Sequence, residues 1–479
     1  MRVKLLFAGV FILLITSIIE LRFFVDDYLF FYNSPRLIDN FFIFFQNYTH
    51  QFGIYRPISV VYYYFIYSLY SLSPALAHLI PWLLQVISGY LLYYVLRLQK
   101  MSLVFAVIVS LVFIFHPFAT EQYMWLAANQ GVLVSLLFFT EIILLIKQNS
   151  LKQSLITTFI FSTILIFTYE STFFFFVPLI YFLYQKYHHS LLKITSINLI
   201  PIFFYIITKI IITPQDPRPL INSLPQLAHN LSSLSQALLN NFLDPYYQNR
   251  FWIQYGLQGY QELLLNPAYL IIFIFFLAGL SFVLLIHKTN THHDPTSATI
   301  VFWFLAFICS LPPLLANQEF YFGFRALFLP IIISTIIIFF IFELILEMNM
   351  RRLVLLLSIV SVSWFVQIDI HVATKYRKMF DHDISLASSI SKISPPNSTI
   401  IFNSLTPLDT RDTFIHADHI LSCFHYKWCA PSILKSQNKT IQDIFLSYVY
   451  IPPSLDTLHP LIYLTYQPDK TLKIDGIIP

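Results

Sequence analysis

The sequence predicts a mainly α protein, a polytopic bundle of about eleven transmembrane helices followed by a small extracytoplasmic α/β domain. Three observations predict it. The 479 residues are 57% hydrophobic and only 11% charged, with a mean hydropathy of +0.68. A soluble chain carries about 25% charge, so most of this one cannot build a water-facing surface. Apolar runs of span length recur along the chain. Lysine and arginine alternate between dense and sparse connections in step with those runs.

A run of roughly 20 apolar residues crosses the hydrocarbon core, and shorter runs suffice in tight hairpins. By this rule the spans are 4–21, 76–96, 103–118, 131–146, 154–169, 172–185, 192–212, 267–287, 298–316, 326–346 and 353–370. Only Glu170 and Ser171 separate the short runs 154–169 and 172–185. The first run lies beside Arg2 and Lys4, as in a signal peptide. No small-residue cleavage site follows it, so an uncleaved anchor is expected.

Basic residues gather on the cytoplasmic side of short loops. With the N-terminus inside, that side holds Arg2, Lys4, Arg97, Lys100, Lys147, Lys152, Lys186, Lys193, Lys288, Arg351 and Arg352. The longer outer loops hold Arg22, Arg36, Arg56, Lys209, Arg218, Arg250 and Arg325. Counting the tyrosine-rich stretch 57–73 as a span would put Arg97 and Lys100 outside. It is therefore expected as an interfacial helix on the outer surface.

The membrane domain is thus expected over 1–370, with outer loops at about 22–75 and 213–266, and the C-terminal domain over 371–479. In the C-terminal domain HVATKYRKMFDHDISLASSISKI reads as a helix, and STIIFNSL and LIYLTYQ read as strands. Cys423 and Cys429 are close enough in sequence for a local disulfide in an oxidising compartment. Sequons at Asn47, Asn230, Asn397 and Asn438 fall on the outer side. They do not decide between a bacterial periplasm or cell surface and an organelle lumen.

Several classes are excluded or unsupported. Three cysteines cannot build a cysteine-based metal cluster. The basic residues are scattered and form no run, so nucleic acid is not an expected partner. Membrane lipid is.

Candidate chemistry collects on the outer side. Asp26 and Asp27 follow the first span within about five residues, and ionisable groups at a membrane boundary are functional candidates. FIFHPFATEQYMW after the third span brings His116, Glu121 and Trp125 to the same side. FTYES contributes Glu170, and NQEFYFGFRALFLP contributes Glu319 and Arg325.

In chain order these stretches resemble the GT-C superfamily of polytopic glycosyltransferases. They are most similar to transmembrane protein O-mannosyltransferases and their bacterial relatives. The matching residues are DDY at 26–28, YRP at 55–57, HPFATE at 116–121, YES at 169–171 and RALFLP at 325–330. The likeness spans roughly residues 1–350, and no tetratricopeptide array follows it. It implies a GT-C-like membrane domain and transfer of a sugar, a hexose such as mannose, from a polyprenyl-phosphate donor. The acceptor hydroxyl lies on a protein, lipid or glycan.

The residue types suit that chemistry. A polyprenyl phosphate leaves without a protonating residue, so one carboxylate suffices to take the acceptor's proton. Cationic donors must hold the phosphate, a task suited to arginine's fork. One displacement inverts the anomeric centre and needs no cooperating carboxylate pair. The family match makes Asp26 or Asp27 the base, with Asp26 slightly preferred. Arg325, Arg56 and His116 are the expected donor contacts, with Glu170 beside them. Glu121 either orients the acceptor or shares a divalent ion with Asp27, although no ligand spacing requires a metal. The alternative is a transporter or flippase for lipid-linked saccharides, to which Glu141 and Glu343 inside spans would belong.

Overall fold

The structure, a computed structural model, describes residues 2–21, 40–52, 55–126, 129–188, 191–212, 224–243, 249–286, 297–311, 324–345, 348–394, 399–404, 433–434, 443–446, 461–466 and 472–478. The chain opens with α1 (Arg2–Leu13) and α2 (Ile15–Ile19). Next come α3 (Phe41–Phe52), α4 (Pro57–Leu72), α5 (Pro74–Leu98) and α6 (Leu103–Phe115). A 3-10 turn at Pro117–Ala119 leads into α7 (Thr120–Met124), α8 (Gln130–Lys147) and α9 (Leu151–Thr168). A second, at Glu170–Thr172, precedes α10 (Phe176–Tyr187) and α11 (Leu191–Ile212). Then follow α12 (Leu224–Leu243), α13 (Asn249–Leu265), α14 (Pro267–Ile286), α15 (Ser297–Ser310), α16 (Phe324–Ile345) and α17 (Met348–Ile393).

Each of the eleven expected runs contains a helix among its described residues. Five helices are long and apolar enough to cross a membrane: α5, α8, α9, α11 and the stretch Leu353–Ile393 of α17. The number rises to seven among the described residues if each of two bent helix pairs is one span. Large apolar side chains such as Phe203, Ile211 and Phe275 stand exposed on these helices. The chain is an integral membrane protein. The eleven-span count itself is larger than length and composition of the described helices support, because several runs form short helices, among them α10 and α15.

Short connections set alternating helix directions, and the contacts define two ends. Phe7 on α1 packs its ring against Tyr90 and Tyr93 near the end of α5, and Lys147 lies over the Tyr94 ring. At this N-terminal end the charges complete helix termini. The Ser102 amide, at the start of α6, donates to Glu343 Oε1 at 2.7 Å. Lys186 Nζ donates to the last carbonyls of α8, at 2.6 Å on Leu145 and 2.8 Å on Ile146. Arg97 donates to the Met101 carbonyl at 2.5 Å. These groups would otherwise be left without intrahelical partners.

The stretch 213–266, expected as a loop, contains α12 and α13. Its apolar residues are interleaved with polar ones, so no span-length run announces it. α13 lies along α17 because two glycines permit close approach. A Cβ on Gly259 would come within 2.0 Å of the Gln367 carbonyl oxygen, and one on Gly256 within 2.2 Å of the Trp364 ring. The break then turns the chain by 112° into α14.

α17 runs unbroken through residue 370, where the membrane domain was expected to end. At 1.5 Å per residue its 46 residues reach about 69 Å, more than twice the roughly 30 Å hydrocarbon core. Its C-terminal half therefore stands beyond the bundle at the opposite end. There Leu386, Ala387 and Ile390 share a core with Phe44, Tyr48, Val60, Tyr63 and Tyr67 from α3 and α4. Part of the tyrosine-rich face expected at a membrane interface is thus buried in protein. Val61 and Phe65 remain exposed on α4.

Ile400 joins the same core. It sits on β1 (Thr399–Ser404), the centre of a small sheet with β2 (Asp443–Leu446), β3 (Leu461–Tyr466) and β4 (Leu472–Ile478) in the order β2-β1-β3-β4. β1 pairs in parallel with β2 and β3, with Thr399 opposite Asp443 and Leu461. β3 and β4 are antiparallel, with Leu461 opposite Ile478 and a register shift at Tyr463/Leu464. The two expected strands are β1 and β3. Cys423 and Cys429 lie outside the described residues.

Candidate active site

The opposite end of the bundle carries four of the five motif stretches, joined as two pairs: YRP with YES and HPFATE with RALFLP. The YRP stretch ends in Pro57, which opens α4 because its missing N–H is no loss in a first turn. Arg56 immediately before it reaches across to Glu170 in the turn after α9. Nε donates to Oε2 at 2.5 Å and the second guanidinium nitrogen to Oε1 at 2.6 Å, a two-pronged pair of the strong kind. The guanidinium also lies over the Tyr169 ring, 4.5 Å from its centroid. Both side chains are largely buried, at 11% and 22% exposure. Burial pulls the Arg56 pKa down, but Glu170 more than restores it, to well above the ordinary arginine value. A neighbouring bond stitches the same two segments, Ser59 donating to the Thr168 carbonyl at 2.5 Å, and Tyr205 of α11 donates to the Tyr55 carbonyl at 3.3 Å.

Arg56 and Glu170 therefore hold each other. Two guanidinium nitrogens face Glu170, which leaves a single edge of Arg56 outside the pair.

The HPFATE stretch breaks the helical course after α6. His116 Nδ1 accepts from the Phe118 amide at 3.2 Å, capping the turn that follows. Its ring packs between Phe118 at 5.1 Å and Phe365 of α17 at 5.2 Å. With Nδ1 accepting, a neutral ring carries its proton on Nε2. Thr120 donates to Asp369 Oδ1 at 2.9 Å. Asp369, fully buried on α17, bridges this motif to the helix that carries the C-terminal sheet. Sequence reasoning passed over Asp369. Its signal was an acid near the end of an apolar run, QIDIH, of the kind that singled out Glu141 and Glu343.

Arg325 is the second residue of α16, which packs against the Pro117–Ala119 turn. Phe328, one turn on, meets Phe113 at 5.4 Å. Glu121 is the second residue of α7. The side chains of Arg325 and Glu121, and all of Asp26, Asp27 and Glu319, lie outside the described residues. α2 nevertheless ends at this end of the bundle, where Glu20 pairs with Arg377 of α17. Asp26 follows Leu21, the last residue described there, by five positions. Among the described residues no three His, Cys, Asp or Glu side chains group closely enough to hold a metal ion.

Glu343, noted for lying inside a span, is the helix cap described above. Glu141 is fully buried in α8, and neither of its oxygens has a hydrogen-bond partner among the described residues.

No protein-family model matches the chain, and no curated protein matches it. Two solved structures align with it. One is ArnT from Cupriavidus metallidurans in the apo state, at 10% identity over 98% of this chain and 93% of that one, with a TM-score of 0.38. The other is ArnT from the same organism bound to undecaprenyl phosphate, at 10% identity, 97% and 93% coverage and a TM-score of 0.35. At that identity and TM-score the likeness carries no weight for the site, which rests on this chain's own geometry.

Proposed function

We propose that the chain is a membrane glycosyltransferase that moves a hexose, such as mannose, from a polyprenyl-phosphate donor to a hydroxyl of a protein, lipid or glycan. Transfer takes place at the extracytoplasmic face, which is the end of the bundle opposite the N-terminus. Residues 1–370 supply the catalytic membrane domain and 371–479 an outer domain. The observation that carries the reading is the two-pronged bond between Arg56 and Glu170. It ties together two of the motifs behind the resemblance, 114 positions apart in the chain.

In the proposed step the acceptor oxygen attacks the anomeric carbon as the bond from that carbon to the phosphate oxygen breaks. The phosphate keeps the electron pair. The acceptor proton passes to Asp26 or Asp27, and the anomeric centre inverts. Arg325 and the free edge of Arg56 hold the departing phosphate, His116 shapes the pocket wall, and Glu121 orients the acceptor.

The test follows release of polyprenyl phosphate from a polyprenyl-phosphate mannose donor by the purified full-length chain in lipid nanodiscs. Asp26→Asn or Asp27→Asn is expected to lower turnover by about 10²–10⁴-fold, the contribution of a general base. Retained turnover in the double variant overturns the assignment. The transport alternative draws on Glu141, and it predicts that Glu141→Gln, not the aspartate variants, stops movement of a lipid-linked saccharide.

A further inference from the structure

A cavity of about 300 Å³ lies in the crook between α13 and α14, closed by the end of α2 and by α17. That is the size of a small-ligand pocket. Ile370, Ala373, Thr374, Arg377 and Lys378 form its α17 wall, at the spacing of one helical face.

Most polar groups around it are already engaged. Ser17 and Tyr269 share a hydrogen bond of 2.9 Å, Glu20 pairs with Arg377, and Glu262 Oε1 meets His371 Nδ1 at 3.0 Å. Two groups are left over among the described residues. Glu262 Oε2 is buried without a hydrogen-bond partner, and Lys378 makes no ion pair. A ligand satisfying both must carry an anionic group and an N–H donor. A bare anion would face two carboxylates, and a neutral sugar would leave Lys378 unanswered.

The surroundings indicate what carries those groups. Leu265 at the cavity is 84% exposed, and Ile271, Ile274 and Phe275 continue an exposed apolar face down α14. Apolar chains hanging from a ligand in the cavity would lie along that face. We propose that the cavity binds the headgroup of a zwitterionic aminophospholipid, with its phosphate on Lys378 and its primary ammonium on Glu262. The site goes beyond the transferase reading and stands or falls separately from it. A carboxylate needs N–H groups to accept from, so ethanolamine is preferred over choline, whose nitrogen has none.

Native mass spectrometry of the full-length chain in detergent tests this, with phosphatidylethanolamine, phosphatidylcholine and phosphatidylglycerol of equal acyl length offered in equal amounts. Phosphatidylethanolamine is expected to be retained about tenfold over the others, the worth of one charge-assisted hydrogen bond. Glu262→Gln is expected to erase its advantage over phosphatidylcholine. Lys378→Ala, at an exposed position that leaves the fold alone, is expected to weaken both about threefold to tenfold. Equal retention of the three lipids overturns the proposal, as does an ethanolamine preference that survives both substitutions. Displacement by an equal concentration of free phosphoethanolamine would reassign the cavity to a soluble ligand.

Discussion

The two ends of the bundle use charge differently. At the N-terminal end Glu343, Lys186 and Arg97 answer backbone amides and carbonyls at helix ends. At the opposite end side chains answer one another, as Arg56 with Glu170, Thr120 with Asp369 and Glu20 with Arg377. The first arrangement finishes helices locally. The second ties together segments far apart in the chain. Charged groups at a membrane boundary are costly to desolvate, so at both ends they are held by partners.

Four single substitutions and one double change would break or sharpen that contrast. The largest effect is expected from Glu170→Ala, which leaves the buried Arg56 guanidinium unpaired. A loss of about 3–5 kcal/mol should appear in denaturant unfolding in detergent. The double change Arg56→Met with Glu170→Met should recover most of that stability without restoring transfer. Next, Gly259→Ala drives a methyl group toward the Gln367 carbonyl. It should cost about 1–3 kcal/mol, seen as a lower thermal midpoint. Asp369→Ala leaves the Thr120 hydroxyl without its acceptor. About 1–3 kcal/mol should be lost, with reduced turnover because the HPFATE turn loses its anchor. The smallest effect belongs to the N-terminal end. Glu343→Ala should cost about 0.5–2 kcal/mol, the worth of a helix cap, with turnover per folded molecule unchanged. A turnover loss there as large as at Asp369 would erase the distinction between the ends.

Much of this was legible in the sequence because it depends on local runs. Every expected span contains a helix among its described residues, and the strands around Ile400 and Ile462 formed where alternating and β-branched residues placed them. The pairing of Arg56 with Glu170 was not legible, although both residues stood out, since it requires α4 to pack against α9. Asp369 escaped notice for the same reason: its partner Thr120 is 249 positions away. The helices within 213–266 were hidden because their apolar positions are interrupted by polar ones. Their packing is decided instead by Gly256 and Gly259 meeting α17.

By itself the sequence determined a helical membrane protein. Hydrophobicity and charge are summed along the chain, and such sums survive without coordinates. The tertiary structure alone decided that the span 353–370 and the helix expected after it join without a break in α17, that Arg56 is largely committed to Glu170, and that a charged cavity lies beside α2. Those outcomes depend on which helix faces meet, and contact between faces is a property of packing in three dimensions that residue order does not display.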